Sequence, residues 1–334
     1  MAHSKPLTLA RLEDLTLGAF ASVAPSQTLD HLVRFLSTWS GSDKFFMIIQ
    51  YTVNLVVPFL QWRARLQHGA GLRKAPSSSA ADSLAKLGSL ISDARMFFRI
   101  WGLLPIFQWM IALERSPPPT RRLRTIERLQ GWSMLGYYPL EHLYYLLSHS
   151  VIPDKLPLPS LTAFIPFVRT KPGTKHIPLD LGTLGVWSTR FWAAYVVLQI
   201  AHLREDSKLL AVRERTLSKS KTGATPAEKD DIRSRRGALW NEFIVNLAYL
   251  PLTVHWSTEK GIISNDVWVN LLGLIAGVAS WKSGWQATAL LPPAAPAAAD
   301  PGVLPAGELA EKKLAPYLDD PLKDVITEPT LDEM

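Results

Sequence analysis

Glu141, His142 and His149 are the best candidates for metal chemistry in this sequence. His142 and His149 are seven residues apart, so they share one face of a helix. Imidazole and carboxylate groups are common zinc ligands, but a zinc site needs further ligands at close spacing, and none follow here. Polar residues in a core or at an interface are therefore the default interpretation.

Motifs of the common enzyme classes do not occur in the sequence. It has no Walker loop, no GxGxxG after a strand, no HExxH and no GxSxG. The chain also has no cysteine, which excludes disulfides, zinc–thiolate sites, iron–sulfur clusters and thiol nucleophiles. No catalytic constellation emerges from the remaining residues.

The composition indicates contact with a membrane. Hydrophobic residues make up 47% of the 334-residue chain and charged residues only 19%, below the roughly 25% typical of soluble domains. Twelve tryptophans are present, and tryptophan favours membrane–water interfaces. The net charge is +7 although the tail is acidic, and a basic apolar body suits anionic lipid. Lysine and arginine flank apolar segments instead of forming a basic groove, so we expect no nucleic-acid partner.

Helical periodicity dominates and strand signals are scarce, so we expect an all-α fold. Specifically, we expect an integral membrane protein with amphipathic surface helices and one to three membrane-embedded helices. The predicted organisation is an N-terminal segment 1–25, an amphipathic helical region 26–149, a proline-rich loop 150–183, a membrane-embedded helical region 184–290 with a charged loop 204–236, and a disordered acidic tail 291–334.

The segment from Ser42 to Arg65 is apolar around a narrow polar stripe. Its apolar run falls several residues short of the roughly 20 needed for a span, and Pro58 should kink or end the helix. We therefore expect this segment to lie on the membrane surface or against other helices. The stripe is expected to face water, and it consists of Asp43, Gln50, Asn54 and Gln61.

The spanning helices are expected further along the chain. Three apolar segments, 184–203, 237–256 and 267–281, are candidates, and at least one of them should cross the bilayer. We favour 267–281, with tryptophans marking its ends. Its Gly273 and Gly277 have the GxxxG spacing that allows close approach of a second helix, although chance explains one such pair equally well.

A second amphipathic helix is predicted from Leu84 to Leu104, and it is the candidate for membrane remodelling. Arg95 and Arg99 lie one turn apart on its polar face, where they would meet anionic lipid headgroups. Its apolar face would enter the acyl boundary. The apolar residues of this helix are Leu87, Leu90, Ile91, Ala94, Phe97, Phe98 and Trp101.

Four stretches, in order, carry motifs of a known family. The first is a G-R-D-K…Q-Y pattern made by Trp39, Gly41, Asp43, Lys44, Gln50 and Tyr51. The other three are SDARMFFRIWGLLPIF, YYPLEHLYYLLSH and the region from NLAYLPLTVHW to WKSGW. From about Leu29 to Trp285 the chain thus resembles the peroxisomal biogenesis factor 11 (peroxin-11) family, in particular its fungal branch. Ser42 and Met96 depart from the pattern, because the family often has Arg and Lys there.

The resemblance implies a peroxisomal membrane protein, multi-pass or deeply embedded, with no enzymatic activity and no cofactor. Such proteins elongate the membrane and promote peroxisome proliferation and fission. The implied partners are phospholipid, further copies of the chain, a fission adaptor, a dynamin-like GTPase and the import receptor peroxin-19. The resemblance also implies that both termini face the cytosol.

Two other functions stay open. The first is a small-solute pore in the peroxisomal membrane, which would need polar residues aligned along genuine spans. The second is an unrecognised multi-pass membrane enzyme, which would need converging histidines and acidic residues. Only Glu141 and His142 could contribute to such a site.

Overall fold

A computed structural model describes residues 23–157, 176–219 and 224–289, together with residues 13, 16–18 and 20. Most of the predicted N-terminal segment, much of the proline-rich loop and the whole acidic tail lie outside the described residues. Within them the fold is helical, apart from a two-stranded antiparallel hairpin of β1 (Lys155–Pro157) and β2 (His176–Pro178). The all-α prediction is confirmed.

The helices begin where a side chain can cap them. Ser26, Thr38, Ser78 and Thr120 each accept a hydrogen bond from a backbone amide of the first turn, and Thr225 forms a capping box with Glu228. The described helices are α1 (Gln27–Ser37), α2 (Trp39–Gly69), α3 (Ser79–Phe98), α4 (Leu103–Arg115), α5 (Arg121–Ser148), α6 (Leu181–Lys219), α7 (Pro226–Trp256) and α8 (Asp266–Ala287).

Helices α2 to α8 form a closed ring. Helix α2 packs against α3, and a 3₁₀ turn (Arg99–Gly102) joins α3 to α4, which packs against α5. Helix α5 packs against α6, α6 against α7, and α7 against α8. Helix α8 returns to α2 and completes the circuit.

The charged loop predicted at 204–236 is largely helical, so that prediction was wrong. Helix α6 continues to Lys219, and α7 begins at Pro226. Ion pairs join the two charged halves, as between Arg213 and Asp231 (3.1 Å) and between Arg236 and Glu214 (2.5 Å). Cross-helix pairing lets a strongly charged sequence stay helical in water.

The two helices that are long and apolar enough to cross a membrane are not those we favoured. Among the described residues they are Trp39–Gly69, with 31 residues, and the continuous Ser79–Arg115, with 37. Only 11% and 6% of their most apolar stretches are buried within the protein, unlike core helices of soluble proteins. No segment between 184 and 281 meets the same criterion, and α2 continues through Pro58 instead of ending there.

Helix α2 has the dimensions of a span. The 18 residues from Phe45 to Trp62 carry no charge, and a helix of that length rises about 27 Å, close to the roughly 30 Å hydrocarbon core of a bilayer. Trp39 and Trp62, near its two ends, are both exposed, as expected of residues at the two interfaces.

Small residues allow α8 to lie directly against α2. A Cβ atom on Gly273 would stand 2.4 Å from the ring of Tyr51, and one on Gly277 would stand 3.3 Å from Ile48. Met47 and Ala276 are buried in the same contact, together with Ala248 of α7. The ring therefore closes through a seam at which side-chain bulk on α8 is not tolerated.

Replacing Gly273 with alanine should lower the free energy of unfolding by about 1–3 kcal/mol, because the new methyl group overpacks the Tyr51 contact. Gly237→Ala is the matched control, since this helical glycine has no atom within 4 Å of an added Cβ. It should raise stability by up to about 1 kcal/mol through helix propensity. Thermal unfolding of the two variants in detergent measures the difference. Equal shifts in both would contradict the close α2–α8 seam.

Candidate functional site

A buried ion pair joins α2 to α3 inside the ring. The Nε of Arg95 donates to Asp43 Oδ1 (2.7 Å), and its Nη2 donates to Asp43 Oδ2 (3.2 Å). Its Nη1 donates to the Gln50 side-chain oxygen at 2.8 Å. Arg95 is only 7% exposed, so the guanidinium depends on these partners and not on water.

A second polar cluster joins the 3₁₀ turn to α5. The Nη1 of Arg99 donates to Glu141 Oε1 at 2.6 Å and to the Tyr137 hydroxyl at 3.1 Å. The Tyr137 hydroxyl donates to the same carboxylate oxygen at 2.5 Å. Tyr137 was missed in the sequence, although its position one turn before Glu141 could have indicated it.

The polar stripe of α2 faces the interior of the ring and not the outer surface of the protein, and the expectation that it faces water stays a prediction. Asp43 and Gln50 bind Arg95, and the Asn54 amide donates to the side-chain oxygen of Asn270 on α8 (3.2 Å). Gln61, the last member, is half-buried. Three of the four stripe residues thus have partners on neighbouring helices, and the same three line the cavity inside the ring.

The predicted remodelling helix corresponds to α3 and the 3₁₀ turn. Its apolar face lies outward and its arginines point inward, which is the reverse of a helix at the surface of a soluble protein. Its apolar side chains point outward: Leu90 is 67% exposed and Phe97 is 50% exposed. Leu87, Ala94, Phe98 and Trp101 are exposed as well, and Ile91 is half-buried. Arg95 and Arg99 do not reach toward headgroups as expected, because each is held by a carboxylate inside the ring.

The outer apolar surface continues around the ring. Large apolar side chains are exposed on α2, α3, α4 and α8, and further ones are exposed on α6 and α7. Soluble monomers rarely expose contiguous apolar patches of this kind, and such a surface marks contact with lipid or another protein. Members of this surface include Phe46, Val56, Phe59, Trp62, Leu104, Phe107, Ile111, Trp187, Val197, Leu247, Ile275 and Val278.

A cavity of about 2660 Å³ lies inside the ring, and both apolar and polar side chains form its wall. Every helix from α2 to α8 contributes to its wall. Asp43, Arg95, Arg99 and Glu141 line it, so both ion pairs stand at its surface. At α2 and α3 the paired charges therefore lie inside the ring, and large apolar side chains lie outside.

A protonated histidine is held in the cavity wall toward the charged half of α6. His202 lies 3.1 Å from Glu127 and 2.9 Å from Asp206. Burial of the ring opposes its charge, but the hydrogen bonds with Asp206 and Glu127 outweigh that effect and raise the pKa of His202 to about 10. His202 therefore carries a positive charge near neutral pH.

The candidate metal ligands do not converge. Glu141 pairs with Arg99, and His149 contacts Asp93 at 3.0 Å. Among the described residues, no group of three or more histidine or acidic side chains could hold a metal ion. The default interpretation of these residues as interior and interfacial polar groups agrees with this geometry.

Residues 29–164 match the sequence model of the family Peroxisomal biogenesis factor 11 (PEX11). This region belongs to that family. An uncharacterized protein of Schizosaccharomyces pombe is 26% identical over 204 residues, which are 61% of this chain and 76% of that protein. No solved structure matches the chain. The family of this region implies a role in peroxisome biogenesis and association with the peroxisomal membrane.

The PEX11 motif residues lie at contacts between helices. A Cβ atom on Gly41 would stand 2.0 Å from the carbonyl oxygen of Phe35, so the turn from α1 into α2 requires glycine. Trp39 packs on Phe98 of α3, with ring centroids 5.1 Å apart. Asp43 and Gln50 bind Arg95 of α3, Tyr51 packs on Gly273 of α8, and Lys44 reaches Gly284 of α8.

Arg95→Ala should lower the free energy of unfolding by about 3–5 kcal/mol, because it leaves the Asp43 carboxylate without its counter-charge. Asp43→Asn combined with Arg95→Ala removes both charges and should cost less than the sum of the two single changes, Asp43→Asn and Arg95→Ala. Unfolding of the four proteins in detergent, wild type included, measures the coupling. Additive losses would show that the two side chains do not interact.

Proposed function

We propose that this chain is a peroxisomal membrane protein that remodels and elongates the membrane and promotes peroxisome proliferation and fission. The observation that carries the proposal is the inverted polarity of α3, whose exposed face is apolar and whose arginines point inward. An outward face of this kind is stable only against acyl chains or another protein. Membership of the PEX11 family over residues 29–164 supports lipid as the contact.

Burial of apolar side chains contributes most of the free energy of this contact with the membrane. Each outward Leu or Phe side chain contributes about 1.5–3 kcal/mol when it moves from water into an apolar medium. The exposed apolar residues of α3 and α4 are numerous, whereas Arg95 and Arg99 are already paired and add little attraction to anionic lipid. We therefore expect membrane contact to depend weakly on salt. Helices that occupy one leaflet more than the other expand it and favour curvature.

The fission machinery belongs to the same proposal. Members of the family elongate the membrane together with a fission adaptor and a dynamin-like GTPase, and they self-associate. We propose the same partners here, with insertion by peroxin-19 and cytosolic termini. The charged halves of α6 and α7 favour an aqueous location for that end of the molecule, because they carry several ion pairs at their surface.

Leu90→Glu together with Phe97→Glu should abolish deformation of vesicles by the full-length chain, because two carboxylates would enter the acyl region. Val212→Glu with Ala227→Glu is the matched control, since both side chains are exposed on the charged halves of α6 and α7. Electron microscopy of proteoliposomes measures tubulation, and circular dichroism checks the fold. Equal tubulation by both double variants would contradict the assignment to α3.

A pore for small solutes is the second candidate function, because a cavity of about 2660 Å³ lies inside the ring and polar side chains form part of its wall. Gln130 of α5 and Gln199 of α6 line this cavity, and the Gln130 amide donates to Gln199 at 2.5 Å. A solute pore needs polar side chains along a passage through a structure whose exterior is apolar. Asp43, Gln50 and Asn54 of α2 also line the cavity, and α2 is long and apolar enough to cross a membrane.

Flux through proteoliposomes tests this candidate, and the absence of cysteine makes the experiment direct. A charged thiol reagent attached to Gln199→Cys should reduce the flux of a small sugar, and a reductant should restore it. Val212→Cys, which is exposed outside the cavity, is the matched control and should be unaffected. If the wild type conducts no sugar, or if both labelled variants conduct alike, the cavity is not a pore.

A further inference from the structure

We propose that α1 (Gln27–Ser37) is an in-plane membrane helix that inserts its free apolar edge into the headgroup–acyl boundary. It would be a second contact with lipid, separate from the outer apolar surface of the ring. The proposal rests on the membrane location argued above. Its chemical partner is the phospholipid surface itself.

The faces of α1 divide into three edges. Phe35 is fully buried and His31 half-buried, and they face the rest of the protein. Leu29 and Val33 are 57% and 60% exposed, and they form one outward edge. Asp30 and Arg34 form a second exposed edge, about 100° further around the helix. Nothing within the described residues covers the apolar edge, although a helix of this composition normally buries it.

Aromatic contacts fix α1 rigidly to the end of α8. The Nε2 of His31 donates to the carbonyl oxygen of Trp285 at 3.0 Å, and the two rings lie 3.7 Å apart. Phe35 meets Trp281 edge-on at 4.5 Å and Trp285 at 5.9 Å. The helix is therefore held in one orientation and its apolar edge cannot turn inward.

The turn between α1 and α2 keeps α1 from extending the span. Thr38 has an extended backbone and ends α1, and its side chain caps α2 at Gly41. The Ser42 hydroxyl donates back to the carbonyl oxygen of Leu36. Helix α1 therefore begins a new direction just where α2 enters its uncharged stretch, which is the level expected for an interface.

The buried face of α1 is joined to the outer apolar surface of the ring by a series of aromatic contacts. Phe35 contacts Trp281, Trp281 contacts Phe45 at 5.8 Å, and Phe45 contacts Phe46 at 6.0 Å. Phe45 and Phe46 are exposed at the start of α2. An aromatic path thus runs from α1 to the outer apolar surface, at the depth where Trp and other aromatic residues collect in membranes.

Lipid fits this edge better than a second copy of the chain does. A stable dimer buries about 800 Å² on each partner, whereas the edge offers two well-exposed large side chains. A bilayer interface needs no matched surface, and it accepts a narrow apolar edge beside a charged one. The Asp30–Arg34 edge would remain in water.

Spin labels on the full-length, otherwise cysteine-free chain in phosphatidylcholine–phosphatidylserine vesicles test the proposal. Labels at Leu29→Cys and Val33→Cys should collide with oxygen several-fold more than with a water-soluble nickel complex, relative to labels at Asp30→Cys and Arg34→Cys. All four positions are exposed, so the substitutions should leave the fold intact. A label at Val56→Cys, in the middle of the uncharged stretch of α2, reports whether the ring is embedded.

The outcomes separate the two proposals. If Val56 is in lipid and both edges of α1 are in water, the α1 proposal is overturned and the embedded ring stands. If Val56 is in water and residues 29 and 33 are in lipid, α1 binds the membrane but the ring is not embedded. A label at residue 33 that is shielded from both reagents and shows spin–spin broadening indicates a second copy on this edge. That result would also overturn the proposal.

Discussion

The pairing of Arg95 with Asp43 and Gln50 is the interaction on which the ring depends. A guanidinium that is 7% exposed needs acceptors on a neighbouring helix, and α2 supplies both of them on one face. Because this face turns inward, the remaining face of α2 must turn outward, and it is apolar. The same reasoning applies to Arg99 and Glu141, so satisfying two buried charges fixes which side of three helices meets the surroundings.

The cavity follows from the same constraint. Arg99 of the 3₁₀ turn is joined to α5 through the polar side chains of Glu141 and Tyr137, and both ion pairs line the cavity. In contrast, the α2–α8 seam uses Gly273 and Gly277 and brings backbones close. The ring is closely packed at the α2–α8 seam, is joined by ion pairs elsewhere, and surrounds the cavity. Remodelling and solute passage are thus not competing demands on this architecture, since one uses its exterior and the other its interior.

Much of the helical layout was predictable from the sequence, because periodicity and caps act locally. Which face meets which environment was not predictable. A helical wheel grouped Asp43, Gln50 and Asn54 correctly, but it could not show that Arg95 and Asn270 from other helices satisfy them. The segment 204–236 was read as a loop from its charge, whereas Arg213–Asp231 and Arg236–Glu214 pair across two helices. The environment of each face depends on partners that are distant in the sequence, and residue spacing within one segment does not identify those partners.

The motif residues acquire a physical meaning once their partners are known. Gly41 permits the turn against Phe35, Trp39 packs on Phe98, and Asp43 and Gln50 hold Arg95. They act on the interior and the corner of the fold, while the residues that face outward only need to be apolar. Replacement of a buried polar residue therefore requires a compensating change on another helix, whereas exchange of one outward aliphatic residue for another does not.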